Sequence, residues 1–345
     1  MYTFIGGGRC DLLVAPLAKS CRGHCGGYNL AICGNTQYRV NVLETHYRRG
    51  AQGAPTSYPA PMWARSTHVP STATPVHSTD NPAFRRLMSL LTSARNRREE
   101  GAAVLEGAHL LTAWLQRYGS AIDTLFIDQD AAGSPALSAL VAQVDAKRVR
   151  VCESRLFRKA SPVAGENGVL AIVRIPAVPA AVPQASGSFE VWLDHVQDPG
   201  NVGTLIRSAA GAGAAAVRLG RGCADAWSPK CLRAGMGGHF VLDIEEHCDL
   251  VARAADPVTR VAAADAAAGT SLFEADLSGT LAVLLGGEGA GISPELAACV
   301  RQTVRIPMPG GIESLNVAAA GAIICFERVR QALATPAPTV APPIR

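Results

Sequence analysis

Residues 189–212 read FEVWLDHVQDPGNVGTLIRSAAGA. Phe189 to His195 is an apolar run of strand length, and Asp198-Pro199-Gly200 then breaks it with turn-forming residues. Val202 to Ala212 continues in small and aliphatic residues at helical spacing. A strand that runs through a Gly/Pro loop straight into a helix is half of a βαβ unit. It predicts an α/β fold built on a mostly parallel sheet covered by helices.

The same alternation continues towards the C-terminus. Strands are expected at Ala216–Leu219, Val258–Ala263, Leu281–Leu285 and Arg301–Ile306, with helices at Ser228–Met236 and Leu315–Leu333. Ser293, followed by Pro294 and Glu295, predicts a capped helix ending near Val300. This second domain spans 188–334. Before it, PAVPAAVPQASG over 176–187 reads as an extended Pro/Ala linker. Residues 80–175 form a smaller α/β domain. Its first helix follows Asn81-Pro82 and carries Phe84, Leu87, Leu90 and Leu91, and its strands lie at 103–107, 122–127, 149–152 and 170–175. Residues 1–79, rich in Gly, Ser, Thr, Pro and Arg, are expected to be a disordered extension, and 335–345 a loose Pro-rich tail. An acid-poor front segment also fits a transit peptide, or a stretch upstream of a start near Met62; composition leaves these open.

The net charge of +4 over 345 residues hides an asymmetry. Residues 1–79 carry seven Lys/Arg against two Asp/Glu, 80–185 thirteen against ten, and 186–335 eleven against sixteen. A basic front suits a polyanion, although so small an excess is also ordinary. No apolar run reaches membrane-span length; Val317 to Phe326 is the nearest and is followed by Glu327 and Arg328. Six of the ten cysteines scatter through the folded part, as expected of a reducing cytoplasm. Cys10, Cys21, Cys25 and Cys33 crowd the front with His24, but without the spacing of paired CxxC knuckles, so no metal is expected.

Three loops each follow a strand and open a helix, where α/β sheets gather ligands. The first is Asp198-Pro199-Gly200-Asn201, with Arg207 six residues after Asn201 among Leu205, Ile206, Ala209 and Ala210. Arg207 suits a phosphate or carboxylate, or equally an ion pair with Asp194 or Asp198. The second, Leu284 to Ser293 (LLGGEGAGIS), lets backbone approach a ligand closely, as a plain tight turn also would. It is neither GxGxxG nor a P-loop, since Glu288 or Ile292 interrupts the one and no Lys follows for the other. The third, Ile306 to Ala318 (IPMPGGIESLNVA), enters the last helix with Ser314 placed as N-cap and Asn316 expected in its first turn.

In this order the three loops resemble the signature motifs of the SpoU-type, or TrmH-like, RNA ribose 2′-O-methyltransferases of the SPOUT superfamily. Ser228-Pro229-Lys230 and Arg233 to Gly238 (RAGMGG) are similar to the segment connecting the first two. Leu105-Glu106-Gly107 and Asn167-Gly168-Val169 look like landmarks of the small ribosomal-protein-like RNA-binding domain that precedes many members. The resemblance implies a catalytic domain with a deep trefoil knot, an exception to unknotted connections. It implies S-adenosyl-L-methionine held around Leu285, Gly286, Gly287 and Gly289, around Ile306 and Met308, and around Leu315, Asn316 and Ala318. It further implies a homodimer whose interface includes Val317, Ile323, Ile324 and Phe326, and RNA as partner, ribosomal RNA before tRNA.

Catalytic roles carried over by the resemblance fall on Arg207, Asn201, Glu288, Ser314 and Asn316. Arg207 stands nearest the ribose hydroxyl, yet a guanidinium stays protonated. An electrostatic clamp is the physically sounder role, with Glu288 as an alternative acceptor through a water. A non-catalytic RNA-binding protein of the same fold is the competing reading, and the full set of polar motif residues argues against it.

Overall fold

The computed structural model describes residues 29–33, 36–40, 73–161, 168–178, 187–256, 258–289 and 291–334. The expected linker over 176–187, the tail over 335–345, Asn167, and most of 1–79 with its Cys10, Cys21, His24 and Cys25, therefore lie largely outside the described residues. Within 1–79 the expectation of disorder meets two exceptions. β1 (Asn29–Cys33) and β2 (Thr36–Val40) pair antiparallel in a unit of their own. The alternating Leu30, Ile32, Tyr38 and Val40 are the β signal that the Gly-rich surroundings masked. β3 (Thr74–Val76) joins a sheet of the second unit, so order there precedes Asp80.

The smaller sheet is mixed. α1 (Pro82–Thr92), capped by the Asn81 side chain, is followed by α2 (Ala94–Glu100), β4 (Ala102–Glu106) and α3 (Ala108–Tyr118). β5 (Thr124–Asp128), α4 (Pro135–Val141), β6 (Val149–Cys152), α5 (Ser154–Ala160) and β7 (Val169–Arg174) complete it. Strand order is β3-β6-β5-β7-β4, with β7 antiparallel to both neighbours. Phe84, Leu87 and Phe157 cover one face, while Leu111, Trp114 and Val141 cover the other.

The larger sheet is wholly parallel. β8 (Phe189–Asp194), α6 (Pro199–Gly211), β9 (Ala216–Leu219), α7 (Pro229–Gly235) and β10 (Asp243–Glu245) build outward to one edge. The chain then crosses through α8 (Leu250–Ala255) to β11 (Val261–Ala264), and returns to β12 (Leu281–Gly286) beside β8. α9 (Pro294–Ala297), β13 (Gln302–Val304) and α10 (Val317–Ala334) follow. The order β10-β9-β8-β12-β11-β13 puts the switch of direction between β8 and β12, where a crevice opens at the carboxyl ends. β12 lacks alternation because it is central and buried on both faces.

The two sheets share one apolar core through Trp114, Tyr118 and Phe240, whose rings pack at 4.4–6.4 Å. Arg97 reaches across to Asp225 at 2.6 Å, and Glu106 accepts from Arg233. Thus two segments that the sequence offers as separate landmarks, Leu105-Glu106-Gly107 and the stretch around Arg233, are joined by an ion pair.

Helix starts and buried faces differ from expectation at three points. The Ser293 side chain makes no capping bond; its N–H donates instead to Asp194 Oδ2 (2.8 Å), and α9 stops at Ala297. Asn316, not Ser314, caps α10: its Oδ1 accepts from the amides of Ala318 and Ala319, and its carbonyl takes the first helical bond from Ala320. Val317 and Ile324 are buried in the chain's own core, which leaves Ile323 and Phe326 on the outer face of α10.

Candidate active site

The crevice is assembled from the ends of β8, β12 and β13. Asp198 caps α6 through the amides of Gly200 and Asn201 (2.7 and 3.0 Å) and holds Lys230 at 2.6 Å. Lys230 and these amides keep the Asp198 carboxyl below the usual range. This cap starts α6 so that Asn201 faces the glycine loop. Asn201 Nδ2 donates to Glu288 Oε1, and Asn316 Nδ2 donates to Asn201 Oδ1 (3.1 Å) and Glu288 Oε1 (3.4 Å). One residue from each of the three loops therefore meets in a single polar cluster. Because Asn316 commits its oxygen to capping, its amide nitrogen is fixed towards the cluster.

Gly286 and Gly287 are required by contact. A Cβ on Gly286 would lie 2.3 Å from the Gly291 carbonyl carbon, and one on Gly287 2.1 Å from the His195 carbonyl oxygen. The loop is therefore folded on itself and pressed onto the end of β8. Asp194 accepts there from three sides: His195 Nδ1 on Oδ1 (2.8 Å), Ser293 N–H on Oδ2, and Gly287 N–H on its carbonyl (2.9 Å). His195 itself has φ of 56°, a backbone state that few non-glycine residues adopt.

Beside the cluster lies a cavity of about 490 Å³. Leu285, Gly286, Gly287, Ile306, Met308 and Leu315, six of the residues expected to hold the cofactor, line it together with Glu288 and Ser314. Gly289, Asn316 and Ala318 are not on its wall. Asp265 at the end of β11 and Glu313 are on it, and among the described residues the wall carries no Lys or Arg. Sequence reasoning missed both, although Asp265 directly follows a strand end where such sheets bind ligands. A larger cavity of about 780 Å³ lies among β8, β10 and α8 and touches none of the three loops. Two carboxylates on its wall, Glu190 and Glu245, are both paired with Arg218.

Arg207 does not join the cluster. It is exposed and makes no hydrogen bond or ion pair among the described residues; Asp194 and Asp198 are engaged elsewhere. Six helical residues turn it by about 120° and advance it by about 9 Å from Asn201. Ser314 is likewise exposed.

A family model described as the SpoU rRNA Methylase family matches residues 188–326. A Burkholderia 23S rRNA (guanosine-2′-O-)-methyltransferase is 32% identical over 67% of this chain and 97% of its own length. Among solved structures, the SpoU methyltransferase AviRb from Streptomyces viridochromogenes in complex with AdoMet superposes with a TM-score of 0.66 and 26% identity. The match covers 74% of this chain and 99% of that one. An AdoMet-bound rRNA methyltransferase from Sinorhizobium meliloti matches with a TM-score of 0.65 and 29% identity, over 75% of this chain and 98% of that one.

Proposed function

The chain belongs to the SpoU rRNA methylase family, and from that premise we propose that it transfers a methyl group from S-adenosyl-L-methionine to a ribose 2′-hydroxyl of ribosomal RNA. The observation that carries this reading is the wall of the 490 Å³ cavity. Its size suits a nucleoside-sized ligand. Apolar side chains and glycine backbone offer a surface for an adenosine, and Asp265, Glu288 and Glu313 favour a ligand bearing positive charge. A phosphate-rich cofactor would meet three carboxylates and, among the described residues, no cation there. The residues therefore fit a sulfonium cofactor, held by Leu285–Gly287, Ile306, Met308 and Leu315, with Gly289, Asn316 and Ala318 adjoining. When bound, it supplies an activated methyl group.

The chain's own residues position the acceptor. The Asn201–Glu288–Asn316 cluster is pre-organised, because its groups are already mutually bonded. Arg207, without a partner among the described residues, acts as an electrostatic clamp on the RNA backbone at the target ribose. Ser314 adds a hydroxyl at the cavity wall.

Residues 80–175 act as the RNA-binding domain and 188–334 as the methyltransferase. Support for the former comes from an open cleft of about 610 Å³ where Arg148 and Arg174 adjoin Trp114 and Tyr118. We infer the SPOUT trefoil knot from the way the segments after β12 and β13 border one cavity before α10 packs back on α6 and β12. The homodimer is assigned to α10, where Ile323 and Phe326 stay exposed in one chain. No described helix is long and apolar enough to cross a membrane. Cys152, Cys223, Cys231, Cys248, Cys299 and Cys325 carry free thiols, which suits a reducing compartment such as the cytoplasm.

The test is methyl transfer from labelled S-adenosyl-L-methionine to total RNA lacking its native modifications, followed by digestion and nucleoside identification. A labelled 2′-O-methylnucleoside from the ribosomal fraction is expected. Label confined to tRNA would reassign the substrate, and no label in any fraction would overturn the reading.

A further inference from the structure

Between Arg233 and Phe240 the chain makes an unusual turn. α7 ends at Gly235, Met236 has φ of 47° and Gly237 φ of 90°, and a 3₁₀ turn over Gly238–Phe240 follows. Two successive left-handed residues, one of them not glycine, persist only where the surroundings fix them. Met236 is exposed, so its own side chain does not hold the turn.

What holds it is α3 of the small sheet and α6 of the large one. His109, Ala113 and Arg117 stand four residues apart, on one face of α3. His109 Nε2 donates to the Met236 carbonyl (3.4 Å) and Arg117 Nε to the Phe240 carbonyl (3.1 Å), and a Cβ on Gly237 would stand 3.3 Å from Ala113 Cβ. The Trp114 ring meets Phe240 edge-on at 5.4 Å. Just before the turn, Arg233 is tied to Glu106, whose carboxylate also accepts from Ser161.

α6 approaches the same segment more closely. A Cβ on Gly203 would strike the Cys231 carbonyl, and one on Gly238 would lie 3.1 Å from the Ile206 carbonyl oxygen and 3.2 Å from Arg207 Cα. Backbone meets backbone there, with no flexible side chain to absorb a shift. His109 and Arg117 are exposed, as Arg207 is. Basic side chains from both sheets therefore flank one turn.

We propose that this turn sets Arg207 against RNA held by the small sheet, with Glu106 and Gly238 as positioning residues. The inference rests on the methyl-transfer reading above and on Arg207 as the clamp. Neither positioning residue is on the cofactor cavity wall, the Glu106 side chain is 6% exposed, and Gly238 is buried. Their effect on transfer runs through the placement of α6. RNA on the small sheet meets Arg207 at a fixed separation, and a shift of a few tenths of an ångström at Gly238 passes to the helix that carries the guanidinium.

The decisive variant is Gly238→Ala, which presses on Arg207 Cα without altering an exposed group. In the full chain, its single-turnover rate at saturating unmodified ribosomal RNA is expected to fall about 10-fold. S-adenosyl-L-methionine and RNA affinities stay within about twofold, since no contact to either is removed. Glu106→Ala releases Arg233 and is expected to slow transfer about fivefold. The Arg233 side chain is already 37% exposed and finds water, so this variant carries the test if Gly238→Ala does not fold. In an Arg207→Ala background, followed over long single turnovers, both changes should cost less than about twofold more, because the group they position is gone. A merely structural defect slows both backgrounds by the same factor. Equal slowing in the two backgrounds overturns the proposal. So does an active wild type whose two variants keep its rate, or an Arg207→Ala chain of wild-type rate. A wild type that labels no RNA overturns the parent reading and this proposal with it.

Discussion

The junction between the two sheets and the rim of the crevice use the same residue types in opposite ways. At the junction Arg97 is 5% exposed, bonded to Asp225 and to the carbonyls of Leu90 and Leu91. Nearby His239 is 1% exposed, with Nε2 on the Ala226 carbonyl (2.8 Å). At the rim Arg207 is exposed and makes no hydrogen bond or ion pair among the described residues, and His195 Nε2 has no hydrogen-bond partner among them. A charge enclosed by protein must be satisfied by protein, so Arg97 and Asp225 are closed on each other and on backbone. The His239 imidazole is enclosed with its Nδ1 unpartnered among the described residues, so it is held neutral by burial. The open groups at the rim face solvent instead.

The contrast breaks first at the junction. Arg97→Ala leaves Asp225 enclosed and unpaired, and is expected to lower unfolding free energy by about 3–5 kcal/mol in denaturant titration. A loss under about 1 kcal/mol would mean that water reaches this pair freely. The next effect concerns His239, whose imidazole burial pushes down to about 4. The folded chain then binds this proton less readily than the unfolded chain. Stability should fall as pH drops from about 6.5 towards 4, by up to about 3 kcal/mol. Thermal unfolding of wild type and His239→Leu across that window checks it: the variant should show the shallower slope.

At the rim, Arg207→Ala should reduce methyl transfer at least about 100-fold, near 2.7 kcal/mol, with unfolding free energy and cofactor affinity almost unchanged. A variant of wild-type rate would remove Arg207 from the chemistry. The smallest effect separates the two duties of Asn316. Asn316→Ser keeps an N-cap oxygen and loses the amide donors, so stability should change by less than about 0.5 kcal/mol while transfer slows. Asn316→Ala should lose both, with about 1 kcal/mol of stability. Equal rates for the two variants would confine the defect to the lost donors, and a wild-type rate in both would end the cluster's functional reading.

Much of the crevice was legible because its loops are short-range features. Asp198-Pro199-Gly200 must turn, repeated glycines must approach something closely, and each loop follows a predictable strand. Asn201 and Asn316 were singled out that way, whereas Glu288 and six cavity residues from Leu285 to Leu315 came from the family resemblance of the three loops. Ser314 misled as a cap because Ser and Asn are both good N-caps, and only the actual start of α10 chooses between them. Asp265 and Glu313 were missed because a carboxylate after a strand end or within a Gly/Pro loop is also ordinary surface, and only the folded cavity brings the two to one wall. His195 was passed over as the end of a strand. Its setting depends on Gly222 and Gly287, which are distant in sequence, and on a backbone angle that composition does not reveal.

The sequence by itself determined the parallel α/β fold, its strand-loop-helix units and the three loops, since periodicity and turn chemistry are local. Tertiary structure alone decided which loop residues touch, that two landmark segments pair as Glu106 and Arg233, and that Arg207 points away from Asn201. The physical reason is that hydrogen bonds and ion pairs depend on ångström-scale distances. Strand order and helix phase set those distances, and neither is written in any one segment.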